Sequence, residues 1–294
     1  MELRHLRYFL VVGEALSFTK AASQLRIAQP SLSRQVQELE DELGVDLLRR
    51  SPRGVTLTAE GKLFLKETRE LLRRADESVE KVRGLARGEY GELHVGYAPA
   101  PTVEILPPAL AAFQKTAPRV RLLLHDLSSD ELIAGLHDAT LELAVMVQPT
   151  GTQTEGIEFE LLRTYPWCVA LHPRHPLGRL KSVPLEKVAS EPLVGLCRKD
   201  YSEYYRILDR FFTPISAKPR IVAECDSASS LMLEVEAGHG IALVSTVLKL
   251  TGGKRLLYRP VTGTTEVQAV GVARATKGDV TPAGEKFCEI LRKI

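Results

Sequence analysis

Residues 17–58 constrain the fold more than any other part of the sequence. They read as two short helices around a tight turn, followed by a basic hairpin. Ala21 and Ala22 leave room for a second helix to cross the first closely. That second helix begins near Pro30, where a missing N–H is harmless, and ends at Gly44. The pattern predicts a helix-turn-helix, whose second helix can enter a groove of DNA.

Side chains that suit the major groove follow the turn. Gln can pair with adenine and Arg with guanine, while Ser can contact phosphates or bases. Residues 47–58 read as strand, turn, strand, and the arginines at this turn can meet phosphate or the minor groove. An ordinary helical hairpin with a polar surface is the alternative. We predict DNA contacts from ten residues: Thr19, Gln29, Pro30, Ser31, Ser33, Arg34, Gln37, Arg50, Ser51 and Arg53.

The N-terminal sixty residues closely resemble the LysR-type transcriptional regulators. The resemblance rests on LRHLRYF at residues 3–9, SFTKAA at 17–22, QPSLS at 29–33 and LTAEG at 57–61. The rest of the chain matches more loosely but in the same order. The resemblance implies a winged helix-turn-helix, a long linker helix and a two-lobed, periplasmic-binding-protein-like (type 2) α/β effector domain. It also implies binding to double-stranded DNA as a dimer or a dimer of dimers, and contact with RNA polymerase.

The overall charge does not by itself identify a nucleic-acid binder. The formal net charge is +2, and residues 1–90 carry 16 Lys and Arg against 14 Asp and Glu. The DNA-binding prediction therefore depends on where the arginines lie, and a dimer would double the basic surface.

The sequence also predicts a compartment. Arg4, His5 and Arg7 interrupt the start, so no signal peptide is predicted, and no run approaches the roughly 18 apolar residues of a membrane span. The four cysteines form no CxxC pair. These features predict a cytoplasmic chain with reduced thiols and no membrane contact.

Residues 59–86 predict one long helix with a heptad repeat. The repeat consists of apolar residues every seven positions and smaller ones between them: Leu65, Leu72, Val79 and Ala86, then Thr68, Ala75 and Val82. The alternative to a dimerising helix is a helix packed only on its own domain. We favour dimerisation, because a monomer that contacts one short half-site would bind DNA weakly. We predict a DNA-binding domain at 1–58, a linker and dimerisation helix at 59–88 and an effector-binding regulatory domain at 89–294.

Beyond residue 88, predicted strands alternate with predicted helices, which is typical of parallel-rich α/β sheets. Among them are a helix over residues 102–116 and a strand over 167–171. A crossover near 162–164 and a return near 265–267 would give two lobes, as the resemblance implies. Lobe I would cover about 89–162 and 267–294, and lobe II about 163–266.

Ligands of such sheets bind beyond the carboxyl ends of the strands. We predict an effector site from residues at those ends: Ala100, Pro101, Thr102, Ser128, Ser129, Gln148, Cys197, Arg198 and Ser227. Thr102 is predicted to begin a helix whose N–H groups hold a carboxylate, with Arg198 balancing its charge. A small organic acid is the expected effector, and helix capping is the alternative role of each Ser and Thr. Relatives that bind aromatic or dicarboxylic acids often have Ser or Thr where this chain has Ala100, so the effector class stays open.

Other functions also stay open. Peroxide-sensing members of the family place a reactive cysteine near the position of Cys197, which Arg198 could activate. No partner cysteine occurs before Cys225, which favours an inert, buried Cys197. A third alternative is an intracellular small-molecule binding protein that does not bind DNA. No catalytic motif is found, so neither enzymatic activity nor a metal or cofactor is predicted, and activation is not distinguished from repression.

Overall fold

The computed structural model describes residues 1–51, 54–151, 154–278 and 280–294. The chain forms two compact units, Met1–Gly84 and Leu85–Ile294. The first unit begins with α1 (Leu3–Ala15), α2 (Phe18–Leu25) and α3 (Gln29–Leu43), and continues with β1 (Leu48–Ser51), β2 (Gly54–Leu57) and most of α4 (Ala59–Ala86). β1 and β2 pair antiparallel, from Leu48 opposite Leu57 to Ser51 opposite Gly54. These elements confirm the predicted winged helix-turn-helix and long helix.

Local backbone chemistry explains where α2 and α3 begin and end. The Ser17 hydroxyl accepts the Lys20 N–H at 3.3 Å and so caps α2. Arg26 takes a left-handed conformation at the turn, with φ of 56°. Pro30 lies in the first turn of α3, and Gly44 ends that helix with φ of 69°, a region that favours glycine. The helix-turn-helix is thus encoded by residues within and beside the turn.

The core of the first unit draws on all three helices and the start of the wing. Phe18 and Ala21 of α2 pack with Leu32 of α3. Fully buried Phe9 and Val12 come from α1, a helix that the sequence pattern did not predict. α1 therefore completes the core on which the two helices of the motif rest.

A buried carboxylate ties the wing to the recognition helix α3. Glu40 of α3 is only 5% exposed. Its Oε1 accepts the N–H of Leu47 at 2.8 Å and that of Leu48 at 2.9 Å. Because a buried charge needs hydrogen-bond partners, these two amides fix where β1 begins relative to α3.

The heptad repeat of α4 is used in two ways. Thr68 and Leu72 are buried, and Leu65 packs against the core of the first unit. Val79 and Val82, further along the same helix, are 47% and 70% exposed. The repeat is therefore intramolecular over its first half and leaves apolar side chains at the surface over its second half.

The second unit is an α/β structure. Its strands are β3 (Gly91–Tyr97), β4 (Val120–Asp126), β5 (Leu143–Val147), β6 (Ile157–Leu171), β7 (Val183–Pro184), β8 (Pro192–Leu196), β9 (Arg220–Cys225), β10 (Ala242–Ser245), β11 (Leu257–Thr262) and β12 (Val267–Ala275). Its helices are α5 (Pro99–Thr102), α6 (Leu106–Thr116), α7 (Ser129–His137), α8 (Leu185–Ala189), α9 (Ser202–Phe212), α10 (Ala228–Glu236), α11 (Lys249–Gly252) and α12 (Pro282–Leu291). Alternation of the two types confirms the predicted α/β class.

One long strand, β6, belongs to both halves of this unit. The sheet order is β4-β3-β5-β12-β6-β11-β7, with β10 also paired to β6. β12 pairs with β6 from Ala275 opposite Ile157 to Val267 opposite Pro166. From Trp167 onward β6 pairs instead with β10, and with β11 from Cys168. β8 and β9 pair in parallel, and an isolated bridge connects Leu193 of β8 to Ile241, the residue just before β10. The change of partners along β6 produces the two-lobed fold.

The structure corrects the predicted helix over residues 102–116. Thr102 ends the short helix α5, and a second helix, α6, begins only at Leu106. Proline at the first positions of α6 explains the new start, because a helix tolerates proline there but not in its interior. The predicted strand over 167–171 is likewise only the end of the longer β6.

α7 begins with a reciprocal cap. The Glu131 N–H bonds to the Ser128 hydroxyl at 3.4 Å, and Glu131 Oε2 accepts the Ser128 N–H at 2.9 Å. The Ser128 hydroxyl also donates to this carboxylate at 2.7 Å. Both residues are therefore committed to starting the helix.

Replacing Glu40 by alanine tests the junction between wing and recognition helix. Glu40→Ala would leave two buried amides without acceptors, at a cost of about 1–3 kcal/mol in the free energy of unfolding. Glu38→Ala, on the same helix, removes a partly exposed carboxylate worth about 0–1 kcal/mol. Urea denaturation of both variants measures the difference, and equal stabilities would contradict the role of Glu40.

The cap of α7 predicts a pH dependence. Its hydrogen bonds from the backbone and side chain of Ser128 hold the pKa of Glu131 below the ordinary 4.5. The ionised carboxylate therefore stabilises the fold above that pH, and its contribution is lost as the pH falls through the lowered pKa. Glu131→Gln should destabilise the chain at pH 7, with a difference from wild type that shrinks below pH 4.5. A constant difference in denaturation midpoint across this range would contradict the cap.

Candidate nucleic-acid interface and ligand pocket

The predicted DNA-contacting residues of α3 lie on its surface. Gln29, Pro30, Ser31, Arg34 and Gln37 are exposed, and Ser33 is half-buried. Thr19, on α2, is also exposed. A shallow surface depression brings α3 and the wing together, with a lining that includes Gln29, Pro30, Ser33, Arg34, Gln37 and Arg50. Most of the predicted set thus forms one continuous face.

Arg50 links the wing to α3. Its guanidinium donates to Ser33 Oγ at 2.8 Å and to Gln37 Oε1 at 3.3 Å. It also lies 4.8 Å from the centre of the Phe18 ring and 3.9 Å from the buried Glu40 carboxylate. This network orients the predicted base-contacting side chains, so Arg50 shapes the face as well as contributing charge.

Arg34 is the one cation that α3 contributes to the predicted set. Its side chain is 81% exposed and pairs with Glu38 at 3.0 Å, one turn further along. An exposed pair of this kind is weak, so the guanidinium can exchange Glu38 for a phosphate or a base. In the wing, the Ser51 hydroxyl donates to Gly54 O at 3.2 Å. Arg53 lies outside the described residues.

The second unit contains a pocket of about 380 Å³ where strands end and helices begin. It lies beside the point where β6 changes partners. Its lining includes Ala98, Pro99, Leu127, Val147 and the first turn of α10. A cavity of this size suits a small organic molecule.

The sequence-predicted effector residues divide into two groups. Ala100, Pro101, Ser129 and Ser227 line the pocket. Five others are not among its lining residues: Thr102, Ser128, Gln148, Cys197 and Arg198. Four of the nine predicted residues therefore face this cavity, and the other five do not.

The second group is engaged elsewhere or faces solvent. Thr102 Oγ1 donates to Ala98 O at 2.7 Å, which keeps this hydroxyl within its own helix. The Arg198 guanidinium lies 4.1 Å from the centre of the Tyr205 ring. Ser128 caps α7, Gln148 is exposed, and the Cys197 N–H donates to Cys225 O at 2.7 Å. Anion binding by Thr102 and Arg198 together has no support in this geometry.

Sequence reasoning missed several polar side chains of the pocket, among them Trp167, Ser245 and Gln268. Trp167 Nε1, Ser245 Oγ and Gln268 Oε1 are buried atoms without a hydrogen-bond partner in the described part of the chain, and all three residues line the cavity. They come from β6, β10 and β12, three strands distant in sequence. Only the uniqueness of Trp167, the single tryptophan in the sequence, could have drawn attention to one of them.

Cys197, expected from the sequence to be buried, is half-buried, whereas the other three cysteines are buried. Burial raises the pKa of Cys168 to about 12 and that of Cys288 to about 11, which disfavours their thiolates. No group of three or more His, Cys, Asp or Glu residues suited to a metal ion occurs within the described ranges. The helices of the described chain include none with the length and apolar character of a membrane span.

Comparisons with known proteins agree with this geometry. Residues 3–62 match the family model described as "Bacterial regulatory helix-turn-helix protein, lysR family". Residues 86–294 match the family model described as "LysR substrate binding domain". The two matches cover both units of the chain.

Individual relatives extend over most of the sequence. The transcriptional regulator AlsR of Bacillus subtilis is 33% identical over 259 residues, covering 88% of this chain and 85% of AlsR. The Hca operon transcriptional activator HcaR of Escherichia coli is 30% identical and covers 100% of this chain and 98% of HcaR. Full-length CbnR, solved in complex with its target DNA, superposes with a TM-score of 0.84 at 28% identity, covering 100% of this chain and 99% of CbnR.

These relatives are regulators of transcription rather than enzymes, and the matches extend over the helix-turn-helix and the pocket-bearing unit alike. The chain therefore belongs to the LysR family, as a DNA-binding transcriptional regulator with an effector-binding substrate domain.

Proposed function

We propose that this chain couples the occupancy of its pocket to promoter binding through the exposed face of α3 and the wing. The observation that carries the proposal is the depression where Arg34 and Arg50 meet two exposed glutamines and the half-buried Ser33. Such side chains supply both phosphate contacts and base readout. Because bulk charge is nearly balanced, affinity depends on these few cations and on pairing two copies.

The pairing surface in this proposal is the second half of α4. Val79 and Val82 leave much apolar area in water, and a second copy of the helix would cover it. A dimer presents two helix-turn-helix domains to two half-sites, which raises its affinity for DNA above that of a single domain. Assembly into a dimer of dimers, contact with RNA polymerase and a cytoplasmic location rest on family resemblance.

In this proposal, residues 1–58 bind DNA, residues 59–88 form the pairing helix, and residues 89–294 form the effector-binding domain, here called the sensor. Within the sensor, lobe I would comprise about 89–162 and 267–294, and lobe II about 163–266. The switch of β6 from β12 to β10 after Pro166 supports a boundary between the lobes close to these limits. A ligand between the lobes changes DNA binding only if it binds one arrangement of the regulator more tightly than another.

Arg34→Ala tests the proposed DNA-contacting face of α3 and the wing. Loss of a base contact by this guanidinium should weaken binding by about 1–3 kcal/mol, whereas loss of a phosphate contact should lower the salt slope by about one. The measurement is a salt titration of binding to a DNA fragment that the wild-type chain selects from a random pool. Arg174→Ala removes an exposed arginine of the second unit, outside α3, the wing and α4, and serves as the control. Wild-type affinity and salt slope in Arg34→Ala would contradict the assigned face.

The double substitution Val79→Asp and Val82→Asp tests the pairing helix. Charges buried between two helices are strongly unfavourable, so we expect the dimer dissociation constant to rise at least about ten-fold, or 1.4 kcal/mol. Sedimentation equilibrium measures it. Lys81→Asp places a negative charge on an exposed position of the same helix that points away from the heptad repeat, and it should leave the dimer intact. Unchanged association of the double variant would exclude this half of α4 as the interface.

A further inference from the structure

Three polar groups without partners meet at the junction of the lobes. Ser245 pairs with Trp167 across β10 and β6, and Gln268 pairs with Tyr165 across β12 and β6. Register therefore places the three side chains on either side of the point where β6 changes partner. Trp167 is 4% exposed and Ser245 is 1% exposed. Buried polar atoms in native proteins nearly always have partners, so a group that enters the pocket is expected to supply them.

The charge around the pocket is unfavourable for an anion. Among the described lining residues none is Lys or Arg, whereas Asp126 and Glu203 are both present. The Glu203 carboxylate is neutralised outside the cavity by Arg206 at 3.2 Å and accepts the Thr150 hydroxyl at 2.8 Å. Burial, followed by nearby carboxylates of which Asp126 is the first, raises the pKa of Tyr201, another lining residue. The cavity thus offers no cationic side chain to a carboxylate.

The N-terminus of α5 cannot take the place of a cationic side chain in binding a ligand carboxylate. Pro99 and Pro101 have no N–H, which removes donors from its first turn. The hydroxyl of Thr102 is bonded to Ala98 O. A carboxylate placed here would meet few of the amide donors that make helix starts attractive to anions.

The two longer helices that begin at the pocket carry their own acids. Glu131 accepts the Ser128 N–H at the start of α7. At α10, the Ser230 hydroxyl donates to the Asp226 carboxylate at 2.8 Å. A ligand carboxylate at either helix would lie near an existing negative charge, which repels it.

We propose that the pocket binds an uncharged molecule with an apolar body and an amide-like group that both donates and accepts hydrogen bonds. Its carbonyl would accept the Trp167 N–H, and its N–H would donate to Gln268. Leu196, Ile207, Leu231, Met232 and Leu243 would surround the apolar body. The pocket of about 380 Å³ lies at the small end of the roughly 300–1,000 Å³ typical of small-molecule sites. This inference rests on the proposed effector role of the pocket and replaces the organic acid expected from the sequence.

Matched amides and carboxylates of the same shape test the ligand class. The probes are benzamide with benzoate, phenylacetamide with phenylacetate, and cinnamamide with cinnamate, titrated at pH 7.5 into the full-length chain. Because Trp167 is the only tryptophan in the sequence, its fluorescence reports occupancy directly, and the thermal denaturation midpoint gives a second readout. We expect at least one amide to bind ten-fold or more tightly than its carboxylate. Equal or tighter binding of the carboxylates, or no binding by any amide at 10 mM, would overturn the proposal.

Gln268→Leu tests the assigned contact. It should weaken binding of the amide about ten-fold, whereas Gln114→Leu, on the exposed face of α6, should leave it unchanged. Equal affinities of the two variants would exclude the contact with Gln268. DNA binding of the unliganded wild-type chain is measured in parallel. Preference for carboxylates would overturn only the ligand class, while failure to bind selected DNA would overturn the proposed regulator whatever the pocket prefers.

Discussion

The pairing of β6 with different strands along its length determines most of the second unit. Up to Pro166 it pairs with β12, and from Trp167 it pairs with β10 and then β11. The residues before and after this change of partners therefore belong to different halves of the sheet. The pocket lies beside this junction and is lined by side chains of β6, β10 and β12. A bound molecule there would contact both lobes and can favour one arrangement of them.

The first unit depends on a comparable junction between α3 and the wing, which is formed by hydrogen bonds and charged side chains rather than by strand pairing. Glu40 accepts two amides at the start of the wing, and Arg50 returns from the wing to Ser33 and Gln37 of α3. The recognition helix and the wing are thereby held as one surface before DNA is bound. Such preorganisation lowers the entropy lost on binding and leaves more of the interaction energy for affinity.

The winged helix-turn-helix could be predicted because its signals are local. The small pair Ala21 and Ala22, Pro30 in the first turn of α3 and Gly44 at its end each act within a few residues. The heptads of α4 predicted one long helix but could not show that Leu72 is buried in its own unit while Val82 is exposed. Periodicity identifies an apolar face, whereas its partner is decided by tertiary packing.

The pocket could be predicted only in part. The sequence predicted four of the lining residues because each lies just after a strand, where a helix starts: Ala100, Pro101, Ser129 and Ser227. Trp167, Ser245 and Gln268 approach one another through register between distant strands, which no local pattern encodes. The break between α5 and α6 at Pro107 and Pro108 was likewise not predicted, because proline can either start a helix or interrupt one.

Coupling between pocket and DNA can be measured most directly by determining each affinity with and without the other ligand. The chain is titrated with its selected DNA fragment at zero and saturating concentrations of the amide that binds best, and with that amide in the absence and presence of DNA. We expect both dissociation constants to change by the same factor, on the order of 5- to 150-fold, because thermodynamic coupling is reciprocal. Identical DNA affinity with the pocket empty and filled would contradict a regulator controlled through this pocket.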